Sequence, residues 1–137
     1  MTKEQIYMET ARTEKGYSCT CGLLPGWLVA TTGDFDKFKR EVEDGVRFYV
    51  ECAKEDGEPY PEILDGEYGI VYRFNVQSLL EFYRGIFSFS ALQTITGINQ
   101  KQLAHYAAGI SKPRKEQADK IASGLRRLAE ELSAVTV

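Results

Sequence analysis

Histidine and tryptophan occur once each, as His105 and Trp27, and cysteine only three times, as Cys19, Cys21 and Cys52. A single histidine supports no Ser-His-Asp or Cys-His arrangement, and no Gly-rich phosphate loop is present. An odd thiol count fits no disulfide framework. Cys19 and Cys21 lie two apart on an expected strand and face the same way, without further ligand types nearby. They read as small buried hydrophobes in a reducing cytoplasm. No apolar run approaches the roughly 18–20 residues of a membrane span. The opening MTKEQIYMETARTEKG is polar and alternating, without the apolar core of a signal peptide. The acids Asp34, Asp36, Glu41, Glu43, Asp44 and Glu51 fall along the solvated side of one expected helix, and Glu4, Glu9 and Glu67 on strands. None of these spacings marks a two-metal site. The expectation is a cytoplasmic chain with no catalytic residue, metal or cofactor, and no membrane partner.

The 137 residues, 43% of them hydrophobic, suit one ordinary domain or two small ones. A net charge of −3 conceals a division. Residues 1–87 hold ten Lys/Arg against sixteen Asp/Glu, a balance of −6, and residues 88–137 hold seven against four, a balance of +3. A basic C-terminal part suits phosphate contacts, whereas an acidic N-terminal part is repelled by nucleic acid. The two parts therefore point to different partners.

Polarity alternates from Glu4 to Thr13, with Ile6 and Met8 on one face and Tyr7 on the other. Glu14, Lys15 and Gly16 form a turn into a second strand bearing Tyr17, Cys19, Cys21 and Leu23 on one face. After the loop Leu24-Pro25-Gly26 a short strand covers Trp27–Thr31. Asp34 caps a helix, with Asp36 at its positive dipole end. Its buried stripe is Phe35, Phe38, Val42, Tyr49 and Ala53, and it fades at Asp56-Gly57. Two prolines make 58–65 a loop, and a fourth strand alternates through Tyr68, Ile70, Tyr72 and Phe74. Residues 1–74 thus read as β-β-β-α-β, an α+β unit with its helix on one face of the sheet.

Residues 75–137 read as helical. Asn75 caps a helix carrying Leu79, Leu80, Phe82 and Tyr83, closing at Gly85. Ser88 caps a second, with Leu92 and Ile95 inward, ending at Gly97. Ile98 plugs the turn and Asn99 caps a third helix with Leu103, Tyr106, Ala107 and Ile110 on its buried stripe. The opposite face carries Gln100, Lys101, Gln102 and His105, donors and acceptors suited to base edges in a major groove; the alternative is an ordinary αα-hairpin with a polar outside. Pro113 stands near the first position of a long helix burying Ala118, Ile121, Ala122, Leu125, Leu128 and Leu132, with Gly124 marking a close contact.

SFSALQTITGINQKQLAHYAAG (88–109) resembles the helix-turn-helix of phage-repressor-like proteins; Gln93 stands where that family has alanine. GLLPGWLVATTGDFDKFKREVEDGVRFYVE (22–51), followed by YPE (60–62), is similar to the N-terminal domain of HicB-type antitoxins. FYRGIFSFSALQTITGINQKQLAHYAAGISKPRK is similar to the DNA-binding domain attached to many members. The LPG loop departs from the family pattern, with Leu23 in place of Asp and Trp27 in place of Cys. The resemblance implies a partial ribonuclease H-like domain that masks a HicA-type RNA-cleaving toxin, and a C-terminal domain that represses the operon by binding operator DNA. It assigns base contacts to Gln100, Lys101 and His105, with Gln102 on the same face and Lys112 and Arg114 on phosphates. Trp27 is the expected anchor for the toxin, with Asp34 and Asp36 at the head of the acidic helix; the alternative for Trp27 is a core position. Proteins of this class bind palindromes as dimers or higher even oligomers, and Leu125, Leu128 and Leu132 offer either a dimer surface or the domain's own core. Two other functions fit the composition: a free-standing repressor with a ligand-sensing N-terminal domain, and a degenerate nuclease.

Overall fold

Period-two polarity builds the first strand. β1 (Glu4–Arg12) buries Ile6, Met8 and Thr10 on one face and turns Tyr7 and Glu9 to solvent. The computed structural model describes residues 4–137. β1 pairs antiparallel with β2 (Gly16–Cys21), which pairs antiparallel with β3 (Leu28–Thr32). On its other side β1 pairs in parallel with β4 (Tyr68–Phe74), giving the order β3-β2-β1-β4. Two antiparallel steps make β3 parallel to β1 and hence to β4. Parallel strands need a crossover rather than a hairpin, and α1 (Phe35–Asp56) supplies most of it.

Asp34 starts α1, its Oδ1 accepting the Lys37 amide at 2.8 Å, and Gly57 ends it in the left-handed region. Phe38, Val42, Val46 and Ala53 form the buried stripe; Phe35 and Tyr49 flank it half-buried. Val46 thus joins the expected stripe, which keeps Tyr49 at its margin. The stripe packs with Ile6, Met8, Cys19, Cys21 and Leu24 into one core. Over it Tyr17, Phe35, Phe38, Tyr72 and Phe74 form a ring cluster with centroids 5.3–6.2 Å apart.

Four expectations need correction here. Leu24, not Leu23, enters the core: the Leu24 amide bonds to Cys21 O and the Trp27 amide to Leu24 O, and this turn breaks the strand alternation. The third strand starts at Leu28, leaving Trp27 in the turn, and Gly16 belongs to β2. Within 58–65, Glu62–Asp65 form a short 3-10 turn rather than an irregular loop.

A second compact unit begins at Val76, the first ending at Asn75. Its helices are α2 (Val76–Tyr83), α3 (Phe89–Thr96), α4 (Gln100–Ala107) and α5 (Lys115–Ser133). Their core is Leu80, Leu92, Ile98, Leu103, Tyr106, Ala107 and Ile121. Ser88 Oγ accepts the Ala91 amide at 3.0 Å, and Gly97 at φ 77° ends α3. The buried Thr96 hydroxyl donates to Leu92 O at 2.7 Å and accepts the Ile98 amide at 3.2 Å, which holds the turn. α4 stops at Ala107, so Ile110 lies beyond it and is 71% exposed instead of completing the stripe. Pro113 lies two residues before the first residue of α5, near the helix start as expected. Only Ile121 and Gly124 of α5 are fully buried; Ala118, Ala122, Leu125 and Leu128 are half-buried and Leu132 is 59% exposed. No helix among the described residues is long and apolar enough to cross a membrane.

Gly124 is where α5 meets the backbone of α3. A Cβ there would stand 2.4 Å from Ile95 O and 3.0 Å from its carbon. Gly124→Ala gains about 1 kcal/mol of helix propensity, but the clash with backbone forces the helices apart, an overpacking cost of about 1–3 kcal/mol or more. Urea unfolding is expected to show a net loss of stability, with an unchanged midpoint ruling out this packing.

Candidate functional site

Two surfaces concentrate chemistry, one on each unit. On the first unit the LPG turn, β3 and α1 enclose a groove of about 540 Å³. Trp27 forms one wall. Its indole lies over Gly45, a Cβ on which would be 3.3 Å from Cζ2, and its N–H donates to Gly45 O at 3.3 Å. Val29, Tyr49 and the buried Ala53 also line it, with the half-buried Cys52 and, from the end of α1 and the loop beyond it, the exposed Asp56 and Glu58. Leu28 and Phe48 border it at 62% and 66% exposure. Trp27 is thus half-buried, packed against the core and lining the groove, between the two alternatives raised for it.

The expected acidic contacts have local tasks. Asp34 is committed to capping α1, and the exposed Asp36 lies 3.4 Å from Lys39 Nζ. Neither lines the groove, whose acids are Asp56 and Glu58. Phe48 was legible as an aromatic out of phase with the buried stripe of α1. The groove itself was not, because it requires the LPG turn and the last turns of α1 to meet.

On the second unit the polar face of α4 is built by side-chain caps. Asn99 Oδ1 accepts the Lys101 amide at 2.8 Å, and Gln93 Oε1 reaches from α3 to accept the Gln100 amide at 2.9 Å. Two of the unpaired amides at this helix start are thereby satisfied. Gln93, singled out in the sequence only as a departure from alanine, ties α3 to α4. Gln100 and Lys101 project exposed, and His105 is half-buried one turn beyond Lys101. Gln102 is also half-buried, with Nε2 donating to Ser111 Oγ at 3.2 Å, so it braces the segment after α4. Lys112 and Arg114 are exposed on that segment.

Cys19 and Cys21 are free thiols buried in the core. Burial, with Cys21 adjacent, pushes the Cys19 thiol from 9.0 to about 12. Burial, with Glu43 and Cys19 nearby, pushes the Tyr72 hydroxyl from 10.0 to about 12. Among the described residues no group of three or more His, Cys, Asp or Glu side chains gathers as a metal site. No family model, curated protein or solved structure matches the chain.

Both raised groups are neutral in the folded state and ionise first in the unfolded one. Their contribution is complete below about pH 9 and is lost as pH rises toward 12. Denaturant midpoints are expected to stay level, as far as these groups are concerned, from pH 7 to 8.5 and to fall from pH 9 upward; a rise would contradict the burial. Iodoacetamide at pH 7.5 is expected to label Cys52 in the native protein and Cys19 and Cys21 only after unfolding, read by peptide mass.

Proposed function

We propose that this protein is a HicB-type antitoxin, whose first unit covers a basic RNA-cleaving toxin and whose second unit is a helix-turn-helix that represses the operon. The observation that carries this reading is the union of two oppositely charged compact units in one chain. Through Asn75 there are nine Lys/Arg against fifteen Asp/Glu, and from Val76 eight against five. An acidic face steers toward a protein that must itself offer positive charge to RNA phosphates, while the basic unit suits DNA. The sheet order β3-β2-β1-β4, with α1 leading from β3 to β4, resembles a partial ribonuclease H-like unit.

In the second unit, the capped start of α4 exposes Gln100 and Lys101 as a reading helix would. The Gln100 and Lys101 amides are already bonded, so recognition there falls to side chains. Gln100 and Lys101 contact base edges from the helix end and His105 from the next turn, while Lys112 and Arg114 hold phosphates. Two such units on a palindrome supply the affinity that one short helix lacks. The groove beside Trp27 favours one second reading, a repressor that senses a small apolar ligand there.

Co-expression with the adjacent reading frame tests the first claim: the antitoxin reading expects a co-purifying basic protein whose toxicity this chain relieves. Absence of both leaves the ligand-sensing repressor. For DNA, Gln100→Ala is expected to cost about 1–3 kcal/mol of discrimination at one base position. Lys112→Ala weakens all sequences alike and flattens the salt dependence. Operator binding untouched by Gln100→Ala and Lys101→Ala together would remove α4 from the reading role.

A further inference from the structure

β3 is an edge of the sheet, and its register shows which backbone groups remain open. The Gly33 amide bonds to Lys15 O at 2.9 Å, so Lys15 and Gly33 are a hydrogen-bonded pair at the end of the β2–β3 ladder. Such pairs alternate along antiparallel strands. Tyr17 with Thr31 and Cys19 with Val29 therefore carry the inner bonds. The N–H and C=O groups of Leu28, Ala30 and Thr32 point away from the sheet. Lys37 Nζ donates to Thr32 O at 3.0 Å and closes that end. Among the described residues of the first unit, Leu28 and Ala30 keep an open stretch of edge, and the groove runs beside it.

We infer that this edge and groove form one docking site, at which a basic, extended segment of the partner adds as a fifth strand next to β3. The inference rests on the antitoxin reading and names how the toxin is held. An added strand lies about 4.8 Å from β3 and sends alternate side chains to the α1 face. Those side chains enter the groove between Trp27 and Phe48, which favours apolar residues. Lys or Arg at the far end of the segment meets Asp56 and Glu58. The same carboxylates disfavour a second copy of this chain, since a β3–β3 pairing would bring two acidic α1 helices together across the new strands. Lys37 limits the added strand to the Leu28–Ala30 stretch, which protects the remaining edge from indiscriminate pairing.

The probe is the protein encoded by the adjacent frame, titrated against the full chain with Trp27 fluorescence, the chain's only tryptophan, as the signal. Binding is expected to shift Trp27 emission and to slow amide exchange at Leu28 and Ala30, both fast in the free chain. Phe48→Asp, at an exposed position, is expected to weaken Kd at least tenfold without shifting the thermal midpoint by more than a degree or two. Ala30→Pro removes an edge donor and is expected to do the same where the variant folds. Asp56→Asn with Glu58→Gln lowers the association rate several-fold at low salt and less at high salt. Tight binding by Phe48→Asp, or exchange protection confined to other segments, overturns the docking site while leaving the antitoxin reading intact. Absence of binding by the wild-type chain overturns both. Protection of Leu28 and Ala30 already in the free chain would show the edge taken by a second copy and overturn the proposed occupant.

Discussion

The parallel pairing of β1 with β4 is the constraint from which the first unit follows. It forbids a tight turn between β3 and β4 and requires a long connection, most of which is the 22 residues of α1. That helix has one apolar stripe, centred on Phe38, Val42 and Val46, so it covers one face of the sheet and leaves Tyr7, Glu9 and Leu28 on the other open to water. Burial of this stripe also brings Gly45 under the Trp27 indole. The groove is thus a consequence of how α1 is seated, and the exposed Phe48 follows from its place outside the stripe.

The second unit depends on a different device, close approach of backbones at glycine and threonine. Gly124 lets α5 lie on the end of α3, and Thr96 bonds both back into α3 and forward to the turn. α4 buries Leu103, Tyr106 and Ala107 and commits Gln102 to Ser111, while Gln100 and Lys101 remain exposed at its start. Gln93 and Asn99 fix the start of α4 and hence the direction in which Gln100 and Lys101 leave it. The start of α4 is therefore tied to α3 as well as to its own cap.

The two surfaces divide by charge as well as by fold. Asp56 and Glu58 at the groove and Lys101, Lys112 and Arg114 on the helical unit bear opposite signs at exposed positions. At exposed sites such charges set encounter rates and exclude wrong partners more than they add affinity.

Local signals were legible in the sequence wherever the cause is local. The caps at Asp34, Ser88 and Asn99, the left-handed Gly97 and the alternation of β1 all depend on neighbouring residue types. The division of charge along the chain was equally visible. Other features needed the tertiary structure because their partners are distant in sequence. The order β3-β2-β1-β4 is set by which strands share a core under α1, and alternation alone carries no pairing information. The exchange of Leu23 for Leu24 depends on a turn that restarts the side-chain phase. Ile110 and Leu132 continue a helical spacing but lie where the helix has ended or its neighbour has run out, so periodicity put them inside and geometry leaves them in water. The groove, the bond from Gln93 to the Gln100 amide and the open edge of β3 each join segments that only folding brings together.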